Sequence, residues 1–191
     1  MSDLRVNIID NFFEKEIHDQ IYEKIVNSNW TYNGGSKDNP FWHVDNLEED
    51  KFFSDYLQKI ILEKINLSSS KCIRIYANGQ TAGMSGDTHI DDGHLTFLYF
   101  VNQKWNVIWG GHLAFLNVLG KMYNGDEFGN VDESWHDWNY YPSHDDELEK
   151  VITYKPNRAV LFPSNIVHFA MAPHSSFAGM RISLAYKFYL K

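Results

Sequence analysis

From Lys71 to the end of the chain, short apolar runs alternate with turn-forming residues, and none has helical spacing. The runs are Lys71–Ala77, Asp87–Asp91, His94–Asn102, His112–Leu116, Lys150–Tyr154, Arg158–Phe162, Ile166–Ala172 and Met180–Tyr189. Strands this short cannot bury an apolar face singly, so they must pair into a barrel or two packed sheets. These eight runs match the strand count of a double-stranded β-helix, a cupin-like jelly roll. The spacing therefore predicts a mainly β core over residues 70–191. In the last run Arg181, Ser183, Ala185 and Lys187 alternate with Ile182, Leu184, Tyr186 and Phe188, which puts a polar set on one face of a strand.

Residues 1–69 read as helical support for that core. Phe13, Ile17, Ile21 and Ile25 recur at a helical interval behind the N-cap types Asp10 and Asn11, which predicts a helix over Glu14–Asn27. Phe52, Phe53, Tyr56, Leu57, Ile60, Ile61 and Ile65 predict a second over Glu48–Ile65. Arg5–Ile9 reads as a short strand, Trp30–Tyr32 as an extended segment, Asn33–Ser36 as a turn or loop, and Phe41–Val44 as an edge strand. Residues 117–149 form an acidic, aromatic insertion with Tyr123, Phe128, Trp135, Trp138, Tyr140 and Tyr141. A connection this long suits a lid over a site or a satellite cluster. The length of 191 residues fits a single domain, 1–191.

Charge and cysteine usage narrow the class. The net charge of -8 and the lack of any Lys/Arg cluster argue against a nucleic-acid backbone as partner. Cys72 is the only cysteine, so no intramolecular disulfide forms and a reducing, cytoplasmic setting is expected. Runs such as Leu95–Val101 are too short to span a bilayer, and the start has no signal-like apolar stretch. The expected partner is a protein, peptide or small-molecule substrate rather than nucleic acid or membrane; composition is silent on oligomeric state.

The chemistry sits in His89-Ile90-Asp91. Residues two apart on an extended segment share a face, so an imidazole and a carboxylate stand side by side. A second histidine, for which His168 is the candidate, completes a 2-His-1-carboxylate set, the facial triad of mononuclear iron sites with open coordination positions. Singly, neither piece is specific: His-x-Asp is common by chance, and a lone strand histidine is more often a hydrogen-bonded core residue. Arg181 on a core strand needs a carboxylate partner, either in a structural ion pair or in a ligand, and Ser183 can add a hydroxyl to the same carboxylate. Asp87 and Asp92 flank the set as loop residues or as acceptors that orient a ligand histidine. His94, His112, Arg74, Trp42 and His43 are weaker candidates for the pocket or its mouth. His136 and His174 read as loop residues, Trp105 as a structural turn residue, and Gly110 and Gly111 as backbone requirements.

Taken together, Arg74-Ile75-Tyr76, Asn78-Gly79, His89-Ile90-Asp91, Leu98-Tyr99-Phe100-Val101-Asn102, Gly110-Gly111, Phe162-Pro163, His168 and Arg181 resemble the prolyl 4-hydroxylase-like branch of the Fe(II)/2-oxoglutarate-dependent dioxygenases. The resemblance covers nearly the whole chain and is best from Lys71 to Phe188. It implies that His89, Asp91 and His168 are catalytic and hold Fe(II). It also implies that Arg181, with Ser183, grips the far carboxylate of 2-oxoglutarate, and that the Tyr76 hydroxyl points into the same pocket; plain core packing is the other reading of Tyr76. The implied reaction consumes O2, hydroxylates a C–H bond of a prolyl, other peptidyl or amino-acid-like substrate, and releases succinate and CO2, with ascorbate as an optional stimulant. The chain departs from the pattern in two ways. Phe100 stands where related hydroxylases carry tyrosine, and Arg181 falls a few residues further past the distal histidine than usual. Lys187 lies on the same face but too far along to replace it. The alternatives are a small-molecule biosynthetic hydroxylase of the same superfamily, a non-catalytic jelly roll that binds metal or carboxylate, and a cupin with another metal.

Overall fold

The alternation of the final run is realised as a central strand with two different faces. The structure, a computed structural model, describes residues 6–37, 39–119 and 140–190. Strand β10 (Arg181–Tyr189) lies between β4 (Lys71–Gln80) and β5 (Leu95–Phe100), antiparallel to both. The sheet continues through β3 (Asn39–Val44) to β2 (Thr31–Ser36) on one side, and through β8 (Arg158–Pro163) to β1 (Asn7–Asp10) on the other. A second sheet holds β6 (Leu113–Leu119) between β7 (Leu148–Ile152) and β9 (Ile166–Ala170). The architecture is the expected mainly β double-stranded β-helix with N-terminal helices.

Each face of β10 meets its own core. Ile182, Leu184, Tyr186 and Phe188 pack with Ile21, Ile25, Phe53 and Leu57 from the helices. Between the sheets, Phe100, Phe115, Tyr154, Phe162 and Ile166 form the second cluster. The polar set on the inner face of β10 is enclosed with it: Arg181 and Lys187 are each 1% exposed.

Helix α1 (Lys15–Val26) is fixed to the sheet by polar contacts as well as by its apolar stripe. His18 Nδ1 lies 2.6 Å from the Tyr99 hydroxyl, which donates to Asn157 Oδ1 at 2.9 Å. Asn157, at φ 58°, in turn bonds the Phe13 amide and carbonyl through its side chain. Burial holds the His18 pKa below the ordinary histidine value. An unfolded chain therefore binds a proton near pH 6.5 that the folded one resists, and stability falls as pH drops below about 6.5. Urea unfolding at pH 5, 6 and 7 is expected to show this loss, and His18→Gln to reduce it.

Four local expectations are corrected. The second helix is not a continuous α-helix over 48–65. It comprises a 3-10 turn at Leu47–Glu49, a π-helical turn at Phe52–Leu57 and then α2 (Gln58–Lys64). Asp50 accepts from the Phe52 amide through its carboxylate and from the Phe53 and Ser54 amides through its carbonyl, which crowds the start of the helix. Residues Asn33–Ser36 are strand rather than turn: β2 carries a bulge between Tyr32 and Gly34 and pairs with β3. Here the glycines serve packing, since a Cβ on Gly34 would meet the Phe41 ring at 2.7 Å.

Residues 87–91 form no ladder strand. Bonds to the β9 side occur at Gly83, Gly86, His89 and Asp91, at uneven intervals, and only an isolated bridge joins His89 to His168. The insertion is also shorter than 117–149, because β6 runs on to Leu119 and β7 starts at Leu148. Tyr123, Phe128, Trp135, His136 and Trp138 lie outside the described residues. Tyr140 donates its amide at 2.6 Å to the carbonyl of Thr88, next to His89 in the chain. No helix among the described residues is long and apolar enough to cross a membrane.

Candidate metal centre

The isolated bridge brings the two histidines together. His89 and His168 exchange backbone hydrogen bonds of 3.0 and 2.9 Å, and their ring centroids lie 4.4 Å apart. The ring orientations are set from behind. His89 Nδ1 lies 2.7 Å from the Asp87 carbonyl and His168 Nδ1 lies 2.8 Å from the Ile166 carbonyl. A carbonyl can only accept, so each Nδ1 carries a proton, and in the neutral ring each Nε2 keeps a lone pair. Both lone pairs face Asp91: His89 Nε2 is 3.5 Å from Oδ1 and His168 Nε2 is 3.3 Å from Oδ2. Donor atoms of the three residues all lie within 4.8 Å of one another. Two imidazoles and one carboxylate converging on one point suit a divalent transition metal and leave further positions for other ligands.

The electrostatics favour the ligating forms. Burial lowers the His168 pKa, which favours the neutral ring. Burial alone would raise the Asp91 carboxyl, but Lys187 and the two histidines outweigh it and leave the pKa well below the ordinary carboxylate range. Lys187 donates to Asp91 Oδ2 and lies 3.1 Å from Thr96 Oγ1. Thr96 donates to the same Oδ2 at 2.7 Å and sits 3.2 Å from Ser164 Oγ.

Sequence reasoning set Lys187 aside as too far along its strand, and did not consider Thr96. One signal was available for Lys187, its place on the polar face of β10. The long side chain then does what the Cα position does not suggest and reaches back to the carboxylate.

Arg181 enters the inner face from the far end of β10. Its Nε donates to the Gly111 carbonyl at 2.7 Å, and its Nη1 to Gln80 Oε1 at 2.8 Å and Ser183 Oγ at 3.3 Å. The guanidinium faces the Tyr154 and Phe100 rings, with centroids at 5.1 and 5.5 Å. Gly111 has φ 66° and a Cβ there would sit 3.2 Å from Arg181 Cδ, so glycine makes room for the side chain. Burial lowers the Arg181 pKa to about 10. Its Nη2 is buried and has no hydrogen-bond partner among the described residues. A buried charged donor left unpaired is costly, and a ligand carboxylate would complete it.

A cavity of about 390 Å³ opens between the β2–β3 hairpin and β4 and reaches His89 and Asp91. Tyr76, Asn78 and Gln80 line it from β4. The Tyr76 ring lies between two cations, 4.2 Å from the Arg74 guanidinium and 5.5 Å from Lys187 Nζ. Arg74 and His43 also line the cavity. Arg74 stands 3.8 Å from Asp92, and His43 stands 2.8 Å from Asp45.

The other candidates lie elsewhere. His94 Nδ1 accepts from the Leu190 amide and His112 Nδ1 from the Tyr154 amide. His174 bonds Ser176 at the surface, and Trp42 packs on Tyr32. The Trp105 indole donates to the Gly110 carbonyl and packs on Tyr154. Phe100, the departure from the tyrosine pattern, stacks on Tyr154 at 4.4 Å. The Tyr154 hydroxyl is already occupied by Asn102 and the Ile182 carbonyl.

No protein-family profile matches the chain, and no curated protein matches it by sequence. Solved structures match its fold. A prolyl hydroxylase from Trichoplax adhaerens, in complex with a hypoxia-inducible-factor peptide, aligns over 98% of this chain and 84% of its own, with 19% identity and a TM-score of 0.62. The viral collagen prolyl hydroxylase of Paramecium Bursaria Chlorella virus-1, in a 2-oxoglutarate complex, covers 96% of this chain and 94% of its own, with 12% identity and a TM-score of 0.62. HygX from Streptomyces hygroscopicus, with nickel and 2-oxoglutarate bound, covers 98% and 84%, with 10% identity and a TM-score of 0.66. The fold is therefore that of the 2-oxoglutarate/Fe(II) oxygenases.

Proposed function

We propose that this protein is an Fe(II)- and 2-oxoglutarate-dependent dioxygenase that hydroxylates a C–H bond of its substrate. The observation that carries this reading is the convergence of His89, Asp91 and His168, both Nε2 lone pairs turned to one carboxylate. These residues would hold the iron. Arg181 would bind the far carboxylate of 2-oxoglutarate, because its Nη2 is the buried donor that lacks an acceptor, and Ser183 would fix the guanidinium. Tyr76 would close the cavity wall beside the cosubstrate. Bound there, iron and the 2-oxo acid supply O2 activation and an oxidative decarboxylation that yields succinate and CO2.

The protein's own work is placement. The aromatic wall of Phe100, Phe115 and Phe162 keeps water from the interior, and the carbonyls of Asp87 and Ile166 hold the histidines in one tautomer. Substrate would enter through the cavity beside the β2–β3 hairpin. Asp45, Asp87 and Asp92 line it against Arg74, which favours an uncharged or cationic group over an anionic one. A prolyl or other peptidyl residue and an amino-acid-like small molecule both satisfy this. The structural neighbours include one in complex with a peptide and one, HygX, with the small molecule hygromycin B bound.

One feature suits the second reading, a non-catalytic barrel: a lysine against Asp91 competes with a metal for the carboxylate. The test is succinate production. Protein loaded with Fe(II) without oxygen and then exposed to air is expected to convert 2-oxoglutarate to succinate slowly, without substrate. Absence of iron binding would reject the proposal.

A further inference from the structure

The two oxygens of Asp91 have different surroundings. Oδ2 accepts from Lys187 and from Thr96, and Thr96 is itself held by Lys187 and Ser164. Oδ1 meets His89 Nε2 at 3.5 Å, and His168 Nε2 lies 3.3 Å from Oδ2, the oxygen that the lysine and threonine already hold. Thr96 is fully buried and Lys187 is 1% exposed, so neither side chain can turn to water instead. Thr96 and Lys187 are register partners on β5 and β10, and Asp91 is tied by its amide to the Ser164 carbonyl at 2.8 Å. The hold on Oδ2 thus comes from three separate parts of the fold.

We propose that Lys187 and Thr96 are positioning residues that reserve Asp91 Oδ2, so that the carboxylate offers a metal ion one oxygen rather than two. This rests on the function proposed above. A carboxylate free to turn would chelate through both oxygens and fill a position that a 2-oxo acid needs. Charge points the same way. A divalent ion, the Asp91 carboxylate, the dianion of 2-oxoglutarate and the buried Arg181 guanidinium sum to zero, and the Lys187 ammonium adds a positive charge that draws the dianion in and opposes a bare divalent ion. Lys187 would then matter most when the 2-oxo acid joins the metal, and least for binding of the metal alone. This resolves the conflict noted above: the lysine weakens the carboxylate as a ligand but stabilises the complete complex.

Cobalt(II), which reports its coordination number in its visible absorption, is the probe. Wild type and Lys187→Met are titrated with cobalt(II) and then with 2-oxoglutarate. In Lys187→Met the visible bands of the cobalt protein are expected to differ from wild type before any 2-oxoglutarate is added. Cobalt affinity is expected to hold or rise, while the dissociation constant for 2-oxoglutarate rises roughly 10–100-fold, the span typical of partners that orient a ligand. Thr96→Val, which removes one hydrogen bond from Oδ2 and keeps the charge, is expected to shift the bands in the same direction with a smaller change in 2-oxoglutarate affinity. It also serves as the test if Lys187→Met does not fold. Unchanged bands and unchanged 2-oxoglutarate affinity in the folded variants would overturn the inference while leaving the proposed function standing. A wild type that binds no cobalt would overturn both.

Discussion

Replacing His168 by alanine is expected to abolish metal binding and turnover while leaving a folded chain. The residue supplies one of three converging donors, so its loss must exceed the roughly 10–100-fold cost of losing a group that merely orients a ligand. We expect the affinity for Fe(II) to fall by more than about 100-fold and succinate formation to drop below detection. The structural cost is smaller. The ring is 5% exposed and packs 4.7 Å from Phe162, and its Nδ1 donates to the Ile166 carbonyl. Losing the packing and that bond costs on the order of 1–3 kcal/mol. His168→Gln, closer in volume, separates the two effects. Stability near wild type with metal binding still lost confirms the ligand role, whereas full metal affinity in either variant removes it.

Replacing Arg181 by methionine is expected to abolish 2-oxoglutarate binding and to spare the metal. Truncating one partner of a buried charge pair costs about 2–5 kcal/mol, a rise of roughly 30-fold to several thousand-fold in the dissociation constant. Anaerobic titration of 2-oxoglutarate into the Fe(II)-loaded variant reads this directly, and thermal melting provides a second measure. Wild type is expected to melt higher with the 2-oxo acid present, and Arg181→Met not to respond. Arg181→Lys keeps a charge but not the fork that spans Gly111, Gln80 and Ser183, so it is expected to fall between the two. A melting response of wild-type size in Arg181→Met would move the carboxylate site elsewhere, and Arg74 in the cavity wall would be the next candidate.

Patterns of two and of three to four residues carried most of the fold. Alternation along Arg181–Tyr189 predicted a strand with a polar face, and β10 has that face turned inward. The same alternation placed His89 and Asp91 together, although the segment that holds them is no regular strand. Its bonds fall at uneven intervals, which a two-residue period cannot express. The second helix misled for a related reason: apolar spacing does not distinguish an α-turn from the π-turn at Phe52–Leu57. Lys187 was missed because distance along a strand was measured from Cα to Cα, whereas a four-carbon stem reaches well beyond its own position. Thr96 and Gln80 gave no signal at all. A threonine or glutamine gains such a role only when its partner arrives from elsewhere in the fold, as Asp91 and Arg181 do.

The irregular segment from Gly83 to Asp91 also has a consequence for solubility. It runs along β9, the outer strand of the smaller sheet, and occupies backbone groups there through His168, Ala170 and Pro173. Without this cover, Ile166-Val167-His168-Phe169-Ala170 would present an open, apolar strand margin, a template on which another chain can lay a strand of its own. The residues that gather the metal donors therefore also guard against self-association. A change that loosens this segment would be felt first as aggregation on storage, before any loss of secondary structure.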